Sequence, residues 1–312
     1  MNYYNYTKEY MPEADGFLSM ESDNGDWQDF NSPLIVKADL PDGRLHKEYY
    51  FNKILYNADV VISMPVLKTS SGGVVVTGSI KNVSLGAPPG NIYNMSQTNF
   101  TKFNMVSHAM TDGDLGNWIF DYYQCKPVTF AIVDGLQGFQ NGPVVMNDGN
   151  GKNNQMNMRL IMASGDPVAL DTTCAYIMGW DPAGIDYLGH FKEKGVGAAD
   201  AAHMLINGAP VDEIRKPFSI KQPELGGTAI KDLTPPSFSA DVQKTPVGYQ
   251  VTLTADNDAV KAEVYTDKLI KYGFIQNKSY AFTVDSGVKQ IRIDVYDAFL
   301  NKTERVVELT QS

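Results

Sequence analysis

Apolar residues fall along the first two thirds of this chain in short runs broken by glycine and proline. Beyond about residue 235 they alternate with polar ones. A run at 33–38, the turn Pro41-Asp42-Gly43 and a return over 45–51 predict a hairpin. Residues 59–64 read as a buried strand stopped by Pro65, which sets Lys68 just past its carboxyl end. Thr69, Ser70, Gly72 and Gly73 follow, then a second β-branched run, then Lys81-Asn82 and the breakers Gly86, Pro88, Pro89 and Gly90. The polar stretch 91–113 is expected to be a loop or cover. Leu115, Trp118, Ile119 and Tyr122 recur at helical spacing, so residues 114–124 form a helix.

Residues 128–133 predict a strand ending at Asp134-Gly135, with a glycine-rich loop over 136–151. A strand over 158–163 leads into Ser164-Gly165-Asp166-Pro167. Here Asp166 serves as N-cap and Pro167 as first helical residue, and Gly179 marks the stop. A shorter helical piece runs from Asp181-Pro182 to Lys194. The order strand, helix, strand, helix predicts an α/β domain with a mostly parallel or mixed sheet under helical cover.

Composition shifts near Gln222, where Pro223, Gly226, Gly227 and Pro235-Pro236 mark a linker over 222–236. Short alternating runs then recur at 249–254, 259–266, 280–284, 290–296 and 304–309, the pattern of a small all-β sandwich. Two domains are therefore expected, an α/β domain over 1–225 and a sandwich over 235–312.

A net charge of -10 in 312 residues argues against a broad nucleic-acid surface and against docking on anionic lipid. Cys125 and Cys174 make no CxxC and no zinc or iron–sulfur spacing, so no iron–sulfur cluster is expected; they read as two buried thiols. No apolar run reaches the ~18 residues of a membrane span. The first residues lack the apolar core of a secretion signal, as they would if a leader had been removed.

Four ordered segments, ADVVISMPVLKT, TGSIKNVSLGAPPG, AIVDGLQGFQNGP and ASGDPVALDTTCAYIMGWDP, resemble the family catalogued as domain of unknown function 362. IDYLGHFKEKGVG and INGAPVDEIRKPF extend the likeness, which covers about 49–218. Relative to the family's longer N-terminal half, one strand–helix unit is absent or shortened here, and the ferredoxin-like cysteine motifs of some members are absent. The resemblance implies an α/β fold and brings no assured reaction. IRIDVYDAFLNKTE is similar to bacterial immunoglobulin-like modules, which implies a secreted or cell-envelope protein.

Ligands of parallel sheets gather at the carboxyl ends of strands, so Lys68, Asp134 and Ser164 to Asp166 are expected to converge there, aided by helix N-termini. Asp171 has Val168, Cys174, Ala175 and Met178 as its helical neighbours, and a carboxylate on that apolar flank needs a partner, for which Lys81 or Lys68 is the candidate. Lys68, Lys81, Asp134 and Asp171 are the candidate catalytic residues. Thr69, Ser70, Gly72, Gly73, Asn82, Asp166 and His108 are the candidate ligand contacts. Gly73 and Gly78 mimic a phosphate loop, but Lys81 is out of register and no Ser/Thr follows it, which excludes a nucleotide-triphosphatase. The chain has no HExxH, no GxSxG and no histidine pair at metal spacing. Asp256, Asp258, Asp285 and Asp297 offer carboxylates to calcium, but scattered loop aspartates are ordinarily solvated and no metal is expected.

Two readings follow. One is an enzyme-like or ligand-binding domain for a small anionic metabolite. The other is a non-catalytic binding or adhesion module whose sandwich meets a protein or glycan.

Overall fold

A computed structural model describes residues 7–18, 32–70, 72–89, 114–142, 154–221 and 226–309. By its contacts the chain forms two compact units. The first takes residues 1–171 and 219–226, the second 172–218 and 227–312. This division places 172–218 with the C-terminal strands, and it has one boundary, between Gly226 and Gly227, within the 222–236 stretch.

The first unit opens with the hairpin β1 (Ile35–Asp39) and β2 (Glu48–Asn52), antiparallel as its turn predicts. The short helix α1 (Lys53–Asn57) is capped by Asn52, whose side chain accepts from the amide of Ile54. A six-stranded sheet follows. Its strands are β3 (Ile62–Ser63), β4 (Val66–Thr69), β5 (Val76–Thr77), β6 (Phe130–Phe139), β7 (Gln155–Met156) and β8 (Leu160–Ser164). The unit's helices are α2 (Ser79–Gly86), α3 (Asp114–Cys125) and the first turn of α4 (Pro167–Ile177), whose residues from Thr172 on count with the second unit.

Strand β6 is the axis of this sheet. Ala131 is bridged by both Ser63 and Ser164, and Asp134 by both Val66 and Ile161. A residue with two bridging partners has one on each edge. Strands β3 and β4 therefore follow one another along one edge, parallel to β6, and β8 runs antiparallel along the other. The sheet is mixed.

Three expectations are corrected here. The strand expected over 59–64 is ordered as a ladder only at β3, and past Pro65 it resumes as β4, so Lys68 lies inside a strand. The strand expected to stop at Asp134-Gly135 runs on to Phe139. Gly135 is a close approach rather than a turn, because a Cβ there would meet Leu160 Cδ1 at 2.7 Å. Finally, β8 ends at Ser164 opposite Ala131, near the start of β6, whereas Lys68 pairs with Phe139 at its far end. The strand ends bearing Lys68 and Asp166 thus point opposite ways, and the convergence expected of parallel strands does not include Asp166.

Helix α3 shows why its spacing is apolar. Trp118, Ile119 and Tyr122 are buried, and Trp118, Tyr122 and Phe51 stack with Tyr49 edge-on. The buried Asp121 accepts from the amides of Arg44 and Leu45 at 2.9 and 2.8 Å and from the hydroxyl of Tyr49 at 2.8 Å, which fastens the hairpin.

In the second unit, β9 (Trp180–Asp181) pairs with β10 (Thr228–Ala229), and helices α5 (Asp186–Lys194) and α6 (Val211–Ile214) lie between them in sequence. Gly195, at φ +68°, ends α5 as a left-handed cap. A single 3-10 turn covers Ala201–His203. Seven strands complete the unit as two antiparallel sheets. One holds β11 (Phe238–Thr245), β12 (Gly248–Ala255) and β15 (Ser279–Asp285). The other holds β14 (Leu269–Phe274), β13 (Ala259–Tyr265), β16 (Gln290–Asp297) and β17 (Lys302–Glu308). Val251, Leu253, Phe282 and Val284 of the first share one core with Ala262, Val264, Ile291, Ile293 and Val295 of the second. The alternation predicted this packing, except that β11 and β14 escaped notice.

Candidate functional site

The chain around the two lysines folds back on itself within a few residues. Strand β5 pairs antiparallel with β4, Thr77 opposite Lys68, after a tight loop closed by the amide of Ser70 on the carbonyl of Val75 at 2.6 Å. Gly72 and Gly73 lie in a 3-10 turn within that loop. Strand β5 passes at once into α2, with Gly78 as the cap, so Lys81 sits one turn into the helix. Its Nζ donates to Ser70 Oγ at 2.5 Å, and the side chain is buried.

Lys68 is half-buried on the neighbouring strand. Burial lowers its pKa. Lys81 is brought down to about 7, first by burial and then by the positive charge of Lys68. Among the described residues, no carboxylate forms an ion pair with either amine. Two cationic groups thus share a site whose described partner is a hydroxyl.

Asp171 does not take the lysine partner expected for it. It is fully buried, and its Oδ1 accepts from the amide and hydroxyl of Ser79 at 2.6 and 2.8 Å, while Oδ2 accepts from the amide of Ile80 at 3.1 Å. A carboxylate at the start of α2 satisfies amides the helix cannot and complements its dipole. Gly78 is glycine because a Cβ would stand 2.2 Å from Asp171 Oδ1. Asp171 therefore positions the helix that carries Lys81. The N-terminus of α2 is thus occupied by an internal carboxylate.

The remaining candidates separate. Thr69 is buried and donates to the carbonyl of Ser219 at 2.8 Å. Asn82 donates to Ser63 Oγ at 3.2 Å, and Ser63 in turn donates to the carbonyl of Ser79 at 2.8 Å. Asp134 is exposed in mid-strand, its Oδ1 accepting from the amide of Leu136 at 2.9 Å. Asp166 caps α4 through the amides of Val168 and Ala169 at 2.9 and 3.0 Å. His108 lies outside the described residues. The structure thus brings together Lys68, Lys81 and Ser70, with Asp171 next to them through Ser79. Ser79 escaped the sequence reading, and its only signal was the Gly-Ser pair opening GSIKN.

Of the aspartates weighed for calcium, Asp258 and Asp297 approach each other and are joined by Asp232. Both oxygens of Asp297 already accept, from the amides of Phe299 and Asn301 and from the side chain of Asn301. Cys125 and Cys174 are free thiols. Among the described residues, no helix is long and apolar enough to cross a membrane.

No curated protein and no solved structure matches the chain. A family model described as Domain of unknown function (DUF362) matches residues 9–176, a span that holds both lysines, Ser70, Ser79 and Asp171.

Proposed function

The chain belongs to the DUF362 family, a domain of unknown function, and on that footing we propose that its α/β unit binds a small anionic metabolite, a carboxylate or phosphate, at Lys68 and Lys81. The observation that carries this reading is the pair of neighbouring amines with no carboxylate counter-ion among the described residues. Buried charge of one sign is costly, and an incoming anion relieves it. Lys68, the half-buried amine, is the one a solute reaches first. Lys81 gives the site a group that exchanges a proton near neutral pH, which suits it to general acid–base work beside the bound anion. Asp171 would serve by holding α2. Asp134 enters only if the ligand extends along the strand face toward Val66, its neighbour across the ladder.

The test is thermal stabilisation by inorganic phosphate and by a panel of mono- and dicarboxylates. Stabilisation of the parent protein that vanishes in Lys68→Ala supports the site. An equal response in both proteins refutes it.

The domain division 1–225 and 235–312 belongs to the same reading, as does the immunoglobulin-like nature of the sandwich. It is supported by seven strands ordered first-second-fifth against fourth-third-sixth-seventh. Such modules favour a secreted or envelope location, which fractionation of the source cells with antibody detection would check.

A further inference from the structure

The four-stranded sheet of the second unit turns Ala262, Val264, Ile293 and Val295 into the sandwich core. The residues that alternate with them point the other way and meet a loop at 206–211, enclosing a cavity of about 390 Å³. Its floor is charged. Glu263 of β13 stands opposite Asp294 of β16, Lys261 opposite Tyr296, and Tyr265 opposite Arg292. Lys261, Glu263 and Asp294 are 1%, 1% and 2% exposed, which is rare for charged side chains on the outer face of a sandwich.

Glu263 is well supplied. Its Oε1 accepts from Lys261 Nζ at 2.6 Å, and its Oε2 accepts from the hydroxyls of Tyr265 at 2.5 Å and Tyr296 at 3.5 Å. Asp294 differs. Its Oδ1 lies 3.2 Å from Arg292 Nε and its Oδ2 4.0 Å from Lys302 Nζ, but Oδ1 and Arg292 Nε each lack a hydrogen bond among the described residues. The two atoms face each other as an ion pair, but neither completes a hydrogen bond among those residues, so both line the cavity with hydrogen-bonding capacity unused.

The chemistry of the lining narrows what uses that capacity. A single hydroxyl group can donate to Asp294 Oδ1 and accept from Arg292 Nε through the same oxygen. Glu213, Glu263, Asp294 and Glu304 are nearly balanced by Lys261, Arg292 and Lys302. Glu263 pairs with Lys261, and Glu304 with Lys302 at 2.9 Å. A cation would meet three positive groups and an anion four carboxylates. The volume is within the ~300–1,000 Å³ usual for small-ligand sites and far beyond one water. We propose that this cavity binds a small neutral polyhydroxylated molecule, a sugar or polyol, through the Asp294–Arg292 pair.

Isothermal titration of the full chain tests this. The probes are glucose, galactose, mannose, N-acetylglucosamine and inositol, with gluconate, glucosamine and glycine as charged comparators. The expected result is binding of at least one neutral probe with Kd near or below ~1 mM, weakened at least ~10-fold in Asp294→Asn. Should Asp294→Asn fail to fold, Arg292→Gln, on a side chain 42% exposed, gives the same loss. Heats only from the charged comparators, no heat from any neutral probe at ~50 mM, or neutral binding unchanged in the folded variant would each overturn the proposal.

Discussion

Lys81 and Lys261 are the same residue type at nearly the same depth, 2% and 1% exposed, yet their surroundings differ in kind. Lys261 donates to Glu263 and to the carbonyl of Met204, and the ring of Tyr296 lies 4.4 Å from its ammonium. Burial lowers its pKa, and Glu263 and Asp294 act to raise it. Lys81 has a serine hydroxyl, and the charge that acts on it is that of another lysine. Depth alone therefore does not distinguish the two lysines; how their charge is compensated does. A compensated amine is part of the fold, whereas an uncompensated one is a standing cost that a ligand can remove.

That contrast is open to direct attack. The largest effect is expected at Glu263→Gln, which strands Lys261 and should cost about 3–5 kcal/mol in urea unfolding. A loss below ~1 kcal/mol would show Lys261 to be neutral and the contrast empty. Next, Asp171→Ala removes three bonds to the start of α2 and should cost about 2–3 kcal/mol, with a lowered urea midpoint. Gly78→Ala should also destabilise, by forcing the same carboxylate aside.

The smallest effect carries the opposite sign. Lys81 titrates near 7 in the folded chain and at 10.5 when free of the fold. Below pH 7 both states are protonated and the folded state bears the full burial cost. Between pH 7 and 10.5 only the unfolded state holds the proton, so stability rises with pH across that window. Lys81→Met should therefore be more stable than the parent by on the order of 1–3 kcal/mol at pH 6, with the gain shrinking toward pH 10. A pH-independent difference would mean that Lys81 is compensated after all.

The local parts of this architecture were legible. The Pro41-Asp42-Gly43 turn sets the first hairpin, and Asp166-Pro167 opens α4 as capping chemistry requires. Lys68 and Lys81 were legible as a pair because one hairpin and one helical turn connect them. What failed was non-local. Gly135 read as a stop, but its missing side chain makes room for Leu160, and β6 continues. The direction of β8 relative to β6 has no local signature, so Asp166 was placed at the wrong end. The Asp171–Ser79 bond joins positions 92 residues apart, and neither neighbourhood announces the other.

One connection bears on how the chain is made. Thr69, between Lys68 and Ser70, is tied to the carbonyl of Ser219, and the amides of Asn141 and Ser219 tie the same residue to the end of β6. These bonds span as many as 150 positions. A ribosome must therefore deliver the whole intervening stretch before the strap over β4 can close, and a fragment ending before residue 219 would emerge with its lysine loop unlatched.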